Sequence, residues 1–265
     1  MEKRITSLQN PEVKRIVALM EKARDRKEQN RFVVEGVREI SLAQQSGYSF
    51  ERLFVCSELY KTEIEYPINL KSTELIEVSK EVFNKMAYRT NDGGLLALAE
   101  QKALHLTDLL LKNESLILVL ESLEKPGNLG AILRTCDAAK VDAVLICDPK
   151  SDIYNPNAIR SGVGCLFTNQ IAVCTSEEAI AWLKQNHFSI FTTDLSATHY
   201  YHQVDYQKAS AIVMGSEAWG VSEKWKTAAN TKIKIPMGGK IDSMNVSNSA
   251  AILIYEAMRQ RGFSL

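Results

Sequence analysis

Several common signatures are missing from this sequence. The five cysteines are odd in number and form no CxxC pair, so neither a disulfide framework nor a zinc site is expected. The close histidine pair, His199 and His202, lacks the HExxH spacing, and no carboxylate completes a ligand set, so no metal is expected. The absence of GxGxxG and GK[ST] argues against dinucleotide-binding and nucleoside-triphosphate-binding loops.

Long apolar runs and an excess of charge are also missing. No run approaches the ~18 apolar residues that cross a membrane, and the first residues contain no apolar signal core, so we expect a soluble, cytoplasmic protein. The 32 basic and 32 acidic residues cancel, which argues against binding nucleic acid through bulk charge. The first 38 residues carry ten basic against six acidic side chains, and this edge suits either a polyanionic partner or a solvated helix face.

Strand and helix signals alternate along both parts of the chain. In the first part, runs such as RFVVEG and GLLALAE alternate with helices, the first of which is predicted to begin at Asn10 and Pro11. A polar connector follows, so we predict a small α/β domain over residues 1–105 and a second domain over residues 106–265. In the second domain, apolar strands such as SLILVLES indicate a mostly parallel sheet, in which ligands bind beyond the carboxyl ends of the strands.

Two loops that follow apolar strands carry candidate site residues. The first, ESLEKPGNLGAILRTCDAA, contains Asn128 and Arg134, which taken alone suit a helix cap and a surface residue, and a helix is predicted from Ala131. The second, IVMGSEAWGVSEKW, contains Gly215, which permits close backbone approach, and Glu217. We interpret Glu217 as lying at the start of a helix, where the helix dipole favours a carboxylate.

A third loop, IPMGGKIDSMNVSNSAAI, joins a strand to the last helix and is rich in small polar side chains. An amino-terminal cap uses one or two such side chains, and this loop has more. The excess favours a site at the junction. The residues concerned are Ser243, Asn245, Ser247, Asn248 and Ser249.

In this order, the three loops resemble the three motifs of the SpoU (TrmH-type) RNA ribose methyltransferases, a family of the knotted SPOUT class. NPNAIRSGVGCLF, between the first two loops, resembles a further family segment in which Arg160, Ser161 and Gly164 match. SLQNPEVKRIVAL and RFVVEGVREI resemble the family's amino-terminal RNA-binding domain, which is similar in shape to ribosomal protein L30e. The third loop departs at Met244 and Asn248, where many members have leucine and a small apolar residue.

The resemblance implies an α/β fold with a knotted, SPOUT-type trefoil domain after a smaller L30e-like domain. It implies S-adenosylmethionine as cofactor, methyl transfer to a ribose 2′-hydroxyl of RNA, most naturally ribosomal RNA, and a homodimer paired through the knotted domain. The positions that match the family's catalytic residues are Asn128, Arg134, Glu217, Ser243 and Asn245. Those that match its cofactor-binding residues are Thr193, Leu195, Gly215, Ile235, Met237 and Met244.

The arginine at the position of Arg134 is proposed, in the family, to handle the hydroxyl proton. Because a guanidinium stays protonated in proteins, we expect Arg134 instead to orient the hydroxyl or a phosphate and to stabilise developing negative charge. Glu217 is expected to hold Arg134 or Asn128 in place.

RNA contacts are expected along the basic amino-terminal edge and at Arg160. The edge contains Lys14, Arg15, Lys22, Arg24, Arg26, Lys27 and Arg31, of which Lys14, Arg15 and Arg24 are the main candidates. Tyr200, Tyr201 and Tyr206 are candidate stacking surfaces for an unpaired base.

Three other functions stay open at this point. A tRNA ribose methyltransferase would keep the fold, although the extra amino-terminal domain favours ribosomal RNA by resemblance. A non-catalytic RNA-binding factor is disfavoured by the intact Asn128, Arg134, Glu217 and Asn245. A base methyltransferase of the wider knotted class is disfavoured by the SpoU-type motifs.

Overall fold

The computed structural model describes residues 3–60, 66–69, 73–88, 93–240 and 243–263. In chain order the strands are β1 Lys3–Ile5, β2 Arg31–Glu35, β3 Phe50–Val55, β4 Glu74–Val78, β5 Leu95–Glu100, β6 Leu116–Glu121, β7 Ala143–Cys147, β8 Ile171–Cys174, β9 Ser189–Thr193, β10 His199–Tyr200, β11 Ser210–Met214 and β12 Thr231–Lys234. The α-helices are α1 Pro11–Glu21, α2 Ala23–Gln29, α3 Val37–Gln45, α4 Lys80–Met86, α5 Pro126–Ala138, α6 Pro156–Ser161, α7 Cys165–Thr168, α8 Ser176–Gln185, α9 Glu223–Ala228 and α10 Val246–Gln260.

The chain divides into two compact units. The first consists of Met1–Ala103 and Asp152–Thr168, and the second of Leu104–Ser151 and Asn169–Leu265. The break after Ala103 lies within two residues of the predicted boundary. The predicted boundary places the segment with α6 and α7 in the second domain. In the structure, however, this segment packs with the first unit.

The first unit is built on a five-stranded mixed sheet in the order β1-β4-β3-β5-β2. Strand β4 pairs in parallel with β1 and β3, whereas β5 pairs antiparallel with β2 and β3. Helix α1 begins as predicted: the Asn10 side chain accepts a hydrogen bond from the backbone of Glu12 at 2.9 Å, and Pro11 occupies the first turn. Its apolar face buries Val13 and Ile16 in the core.

The basic edge predicts that Arg26 contacts an RNA phosphate. This prediction is wrong, because Arg26 is buried. Its side chain is 1% exposed and forms an ion pair with Asp152, and its Nη1 donates to the carbonyl oxygen of Leu19. Because Asp152 begins the segment that joins the first unit from far along the chain, sequence periodicity gave no sign of this partner. Phe32 of β2 packs on Tyr154 of the same segment, with ring centroids 4.3 Å apart.

The second unit is built on a seven-stranded sheet in the order β10-β12-β9-β11-β6-β7-β8, in which every strand pair is parallel. The mostly parallel sheet predicted from the apolar runs is confirmed. Helix α5 begins at Pro126, five residues before the predicted start at Ala131, because Pro126 fits a first turn and Gly127 and Gly130 are accommodated within the helix. Asn128 therefore lies inside the first turn and is not the cap.

A buried polar network fixes the helices that follow two of these strands. Glu121, at the end of β6, accepts a hydrogen bond from the backbone of Ser222 at 2.7 Å, and its Oε1 lies 3.2 Å from the Ser176 hydroxyl. The Ser176 hydroxyl in turn accepts from Trp225 Nε1 at 3.0 Å and donates to Asp148 at 2.6 Å. The amino termini of α8 and α9 are thereby held at the carboxyl edge of the sheet.

In the part of the chain that the structure describes, no helix combines the length and the apolar character that a bilayer span requires. Within the same residues, no group of three or more histidine, cysteine, aspartate or glutamate side chains is placed to hold a metal ion.

Replacing Asp152 by alanine should destabilise the protein strongly, because it leaves the Arg26 guanidinium buried without its carboxylate. Breaking a buried ion pair in this way costs about 3–5 kcal/mol. Urea unfolding of the variant should show this loss. A matched control is Glu28→Ala, which removes an exposed i,i+4 pair with Arg24 and should cost no more than about 0.5 kcal/mol. Equal losses in the two variants would contradict the prediction.

Candidate active site

A pocket of about 720 Å³ lies beyond the carboxyl ends of β9, β11 and β12 in the second unit. This is the edge at which parallel sheets bind ligands. The residues predicted to bind the cofactor come from three distant parts of the chain, and all of them line this pocket: Thr193, Leu195, Gly215, Ile235, Met237 and Met244. Their role in cofactor binding stays a prediction, but the structure brings them together.

The loop after β11 folds directly back on Gly215. A Cβ atom at this position would lie 2.0 Å from the carbonyl carbon of Gly220 and 2.2 Å from the backbone nitrogen of Val221, so no side chain fits. Ser216 and Gly220 exchange two backbone hydrogen bonds of 3.0 Å, which close the loop, and Gly220 takes a φ of +66° that favours glycine. The loop therefore has a defined shape at the pocket wall.

Three of the predicted catalytic residues form one hydrogen-bonded chain at the pocket. Asn128 Nδ2 donates to Glu217 Oε1 at 2.6 Å, and Asn245 Nδ2 donates to Asn128 Oδ1 at 3.2 Å. Asn245 also caps α10, because its Oδ1 accepts from the backbone of Ser247 at 2.9 Å. This hydrogen-bonded chain connects the first turn of α5, the loop after β11 and the start of α10. Glu217 holds Asn128 in it, as expected.

Hydrogen bonds set the charge state of Glu217. Partial burial raises the pKa of its carboxyl, but the Asn128 amide and the backbone N–H groups of Glu217, Glu124 and Lys125 outweigh this effect, and the pKa lies below its usual value. Glu217 is therefore an anion near neutral pH, and an anion accepts a stronger hydrogen bond from Asn128 than a neutral acid does.

Apolar side chains form the rim of the pocket. Leu195 is 62% exposed and Trp219 is 87% exposed, although both line the pocket. Large exposed apolar side chains beside a concave site indicate a surface that a ligand covers. Trp219 is held in place because its backbone N–H donates to the Ser216 hydroxyl at 3.1 Å.

The remaining predicted catalytic residues are placed differently. Ser243 lines the pocket with Asn245. Arg134 lies on the exposed side of α5, six residues after Asn128, and is not part of the pocket lining. The predicted role of Arg134, which is to orient the ribose hydroxyl or a phosphate and to stabilise developing negative charge, stays a prediction.

The basic residues predicted to bind RNA lie in the first unit. Lys14 is exposed, and Arg24 pairs with Glu28 on the surface. Arg15 donates to Glu51 at 2.8 Å, and this bond, together with Arg31 and the charge of Arg52, lowers the pKa of Glu51 to about 2 against the effect of burial. The charge of Arg15 is thus engaged within the unit, and RNA contact by these residues stays a prediction.

Two expectations about the second unit are wrong. Glu217 does not lie at the start of a helix: it belongs to the closed turn between Ser216 and Gly220, and α9 begins only at Glu223. Tyr206 is not available for stacking because it is fully buried against Phe191, with ring centroids 4.9 Å apart. Both outcomes depend on contacts between residues that local sequence patterns do not connect.

Several residues that line the pocket were not predicted. Lys125 directly precedes α5, Asp194 lies between the predicted Thr193 and Leu195, and Trp219 lies between the two glycines of the GSEAWG loop. In each case, the available signal was a predicted residue within three positions along the sequence. Lys226 and Lys234 also line the pocket, and no motif marked them.

Models of known protein families match both units. The model of the SpoU rRNA methylase family matches residues 115–255, more than half of the chain, and that of the MRM3-like substrate binding domain matches residues 10–97. A similar relative is the 23S rRNA (uridine(2479)-2′-O)-methyltransferase of Streptomyces viridochromogenes, with 27% identity over 98% of this chain and 93% of its own.

Solved structures give the same result. A crystal structure of an RNA 2′-O ribose methyltransferase is 39% identical over 97% of this chain and 99% of its own, with a TM-score of 0.84. The SpoU methyltransferase AviRb from Streptomyces viridochromogenes, in complex with the cofactor AdoMet, is 25% identical over 96% of this chain and 98% of its own, with a TM-score of 0.86.

The fold and the pocket define a methyltransferase of the SPOUT class, and the fold class predicted from the sequence is confirmed. The chain belongs to the SpoU rRNA methylase family.

Replacing Glu217 by glutamine should weaken the hydrogen-bonded chain in a pH-dependent way. Because the pKa of Glu217 is lowered in the folded protein, its stabilising effect is complete at neutral pH and is lost as the pH falls through the folded pKa. Urea unfolding should show the largest difference between wild type and variant at pH 7, shrinking below about pH 4.

Asn128→Ala provides the control for this prediction. It removes the same contact, so its effect and that of Glu217→Gln should be less than additive in the double variant. A difference between wild type and Glu217→Gln that grows as the pH falls would contradict the assignment.

Proposed function

We propose that this protein is an S-adenosylmethionine-dependent RNA methyltransferase that methylates a ribose 2′-hydroxyl of ribosomal RNA. The observation that carries the proposal is the hydrogen-bonded chain Glu217–Asn128–Asn245 at the wall of a pocket that also has apolar lining residues. The relative that acts on 23S rRNA spans both units of this chain, and this coverage supports ribosomal RNA as the substrate.

The residues of the pocket fit the cofactor. The volume of about 720 Å³ falls within the range of small-molecule sites. Gly215 lets the loop that follows it fold back tightly at the pocket wall, while Leu195 and Met237 offer apolar surface to an adenine ring. When bound, the cofactor supplies a methyl group on a positively charged sulfur.

The chain's own residues must position the ribose and manage its proton. A bond forms between the 2′-oxygen and the methyl carbon while the carbon–sulfur bond breaks, and the hydroxyl proton leaves to solvent or a nearby acceptor. Asn128 and Asn245 orient the sugar, and Glu217 fixes the Asn128 amide so that its dipole has one direction. Alignment of this kind contributes several kcal/mol, up to ~7–11 in favourable cases.

Arg134 has a positioning role in this proposal. It lies on the same helix as Asn128 and faces solvent, where a permanently charged guanidinium suits the phosphate beside the target ribose. Ser243, near the start of α10, adds a hydroxyl to the same wall of the pocket.

Titration calorimetry with S-adenosylmethionine tests the cofactor site. The wild type should bind, and both Gly215→Ala and Gly215→Trp should lose binding, because any side chain at this position meets the backbone of Gly220. Gly238→Ala is the matched control and should bind normally, since no atom of the residues that the structure describes lies within 4 Å of a Cβ at this position. Circular dichroism shows whether each variant is folded. A folded wild type that binds no cofactor, alone or with RNA, would overturn the proposal.

Methyl transfer to ribosomal RNA, followed by nucleoside mass spectrometry, tests the reaction. The product should be a 2′-O-methylated nucleoside. Asn128→Ala should bind the cofactor normally but lower the rate of transfer by about 10²-fold, because misplacement of the reacting groups has effects of that size. A methylated base in place of a methylated ribose would disprove the assigned reaction.

A homodimer that pairs through the second unit is part of the proposal. Helix α10 exposes Tyr255, a large aromatic side chain that is 46% accessible in the single chain. A ribosomal RNA substrate also agrees with a cytoplasmic location. Light scattering after gel filtration should give twice the chain mass for the wild type, and Tyr255→Glu should shift the population towards monomer. A monomeric wild type at micromolar concentration would contradict the dimer.

A further inference from the structure

A second pocket, of about 460 Å³, lies wholly within the first unit and has no part in the chemistry described above. We call it the first-unit pocket. It is bounded by the end of β2, the start of α3 and helix α6. Its charged and hydroxyl side chains are Glu35, Arg38, Glu39, Tyr66 and Arg160. The volume is sufficient for one nucleoside.

The carboxylate of Glu39 lies close to the backbone of Gly36 in the first-unit pocket. Gly36 takes a φ of +101°, and a Cβ atom there would lie 2.5 Å from Glu39 Oε2. A glycine at this position therefore leaves room for the carboxylate to fold back over the amino terminus of α3. The Glu39 side chain is 12% exposed.

The guanidinium of Arg38 is only partly satisfied by the protein. Its Nη2 donates to Glu39 Oε1 at 3.0 Å, and Tyr66 also interacts with it. Its Nε is buried, and among the residues that the structure describes it finds no acceptor. A guanidinium has five N–H donors, so a ligand with two neighbouring acceptors would complete its hydrogen bonding.

A flat surface lies beside these groups. The guanidinium carbon of Arg160 is 5.7 Å from the centroid of the Tyr88 ring, and Tyr88 is about half exposed. The backbone N–H of Tyr88 donates to Glu35 at 2.8 Å, which connects this surface to the pocket wall. Arginine and tyrosine planes are the surfaces on which unpaired RNA bases stack.

The first-unit pocket contains both carboxylates and guanidinium groups, and this combination favours a ligand with both hydrogen-bond donors and acceptors. A phosphate would meet the negative charges of Glu35 and Glu39 as well as the arginines. Guanine matches the pocket because it has adjacent donors at N1 and N2, which suit a carboxylate, and adjacent acceptors at O6 and N7, which suit an arginine. Uracil offers one ring donor, and adenine lacks the paired O6 and N7 acceptors.

We infer that the first-unit pocket binds one unpaired guanine of the RNA substrate, with Glu39 accepting from its N1 and N2 groups and Arg38 donating to its O6 and N7. This inference rests on the proposed function, since it makes the first unit the part that selects the RNA. It gives Arg160 a stacking role with Tyr88 and explains why the segment that contains Arg160 belongs to the first unit.

Fluorescence anisotropy with the full chain and labelled 12-nucleotide RNAs tests the inference. An oligouridine with one central guanosine should bind at least about tenfold more tightly than oligouridine alone, because each of the two bidentate contacts is expected to give discrimination of that order. Replacing that guanosine by inosine, which lacks the N2 amino group, or by 7-deazaguanosine, which lacks the N7 acceptor, should each remove most of the gain. Equal affinity for guanosine-containing and plain oligouridine would overturn the inference.

Variants assign the preference to the pocket. Arg38→Ala and Glu39→Gln should each abolish the preference for guanosine, while Lys80→Ala, which removes an exposed charge from the same unit, should keep it. Glu39→Gln preserves the size of the side chain, so it remains informative if Arg38→Ala does not fold. A preference that survives in either folded variant would overturn the inference.

Cofactor titration on the same samples separates the two proposals. If Arg38→Ala still binds S-adenosylmethionine and keeps its preference for guanosine, the inference fails while the proposed function stands. If the folded wild type neither binds the cofactor nor methylates ribosomal RNA, the proposed function fails whatever the anisotropy shows.

Discussion

The second-unit pocket depends on the absence of a side chain at Gly215. Because the backbone of Gly220 and Val221 occupies the space where a Cβ would lie, the chain can turn sharply at the end of β11 and return across the pocket. That turn points Glu217 towards Asn128 and leaves Trp219 at the rim. The same close approach thus determines both the polar and the apolar side of the site.

The far end of this turn is fixed independently. Glu121 receives the backbone N–H of Ser222, and Ser176 receives the indole N–H of Trp225, so α9 cannot shift without leaving buried polar groups unsatisfied. The turn is therefore anchored at Gly215 on one side and at α9 on the other. A pocket held in this way is largely formed before a ligand arrives, which reduces the ordering that binding requires.

The residues that line the site could be predicted from the sequence better than the burial of residues elsewhere in the fold. The loops at strand ends and the small polar residues before α10 identified residues that meet in space, and the apolar run SLILVLES forms the predicted strand as β6. Burial of Arg26 and Tyr206 escaped prediction because each depends on a partner far along the chain or across the fold. The sequence predicts a helix start at Glu217, where the structure has a closed turn. A carboxylate that follows a strand is compatible with either of them.

The first unit is assembled from two stretches of chain that are separated by β6, α5 and β7 of the second. During synthesis, domains generally fold from the amino terminus as they emerge. Here Phe32 packs on Tyr154, and Arg26 pairs with Asp152. The first unit therefore cannot complete its core until part of the second unit has already left the ribosome. The two units must therefore mature in an interleaved order, and neither corresponds to an independent stretch of nascent chain.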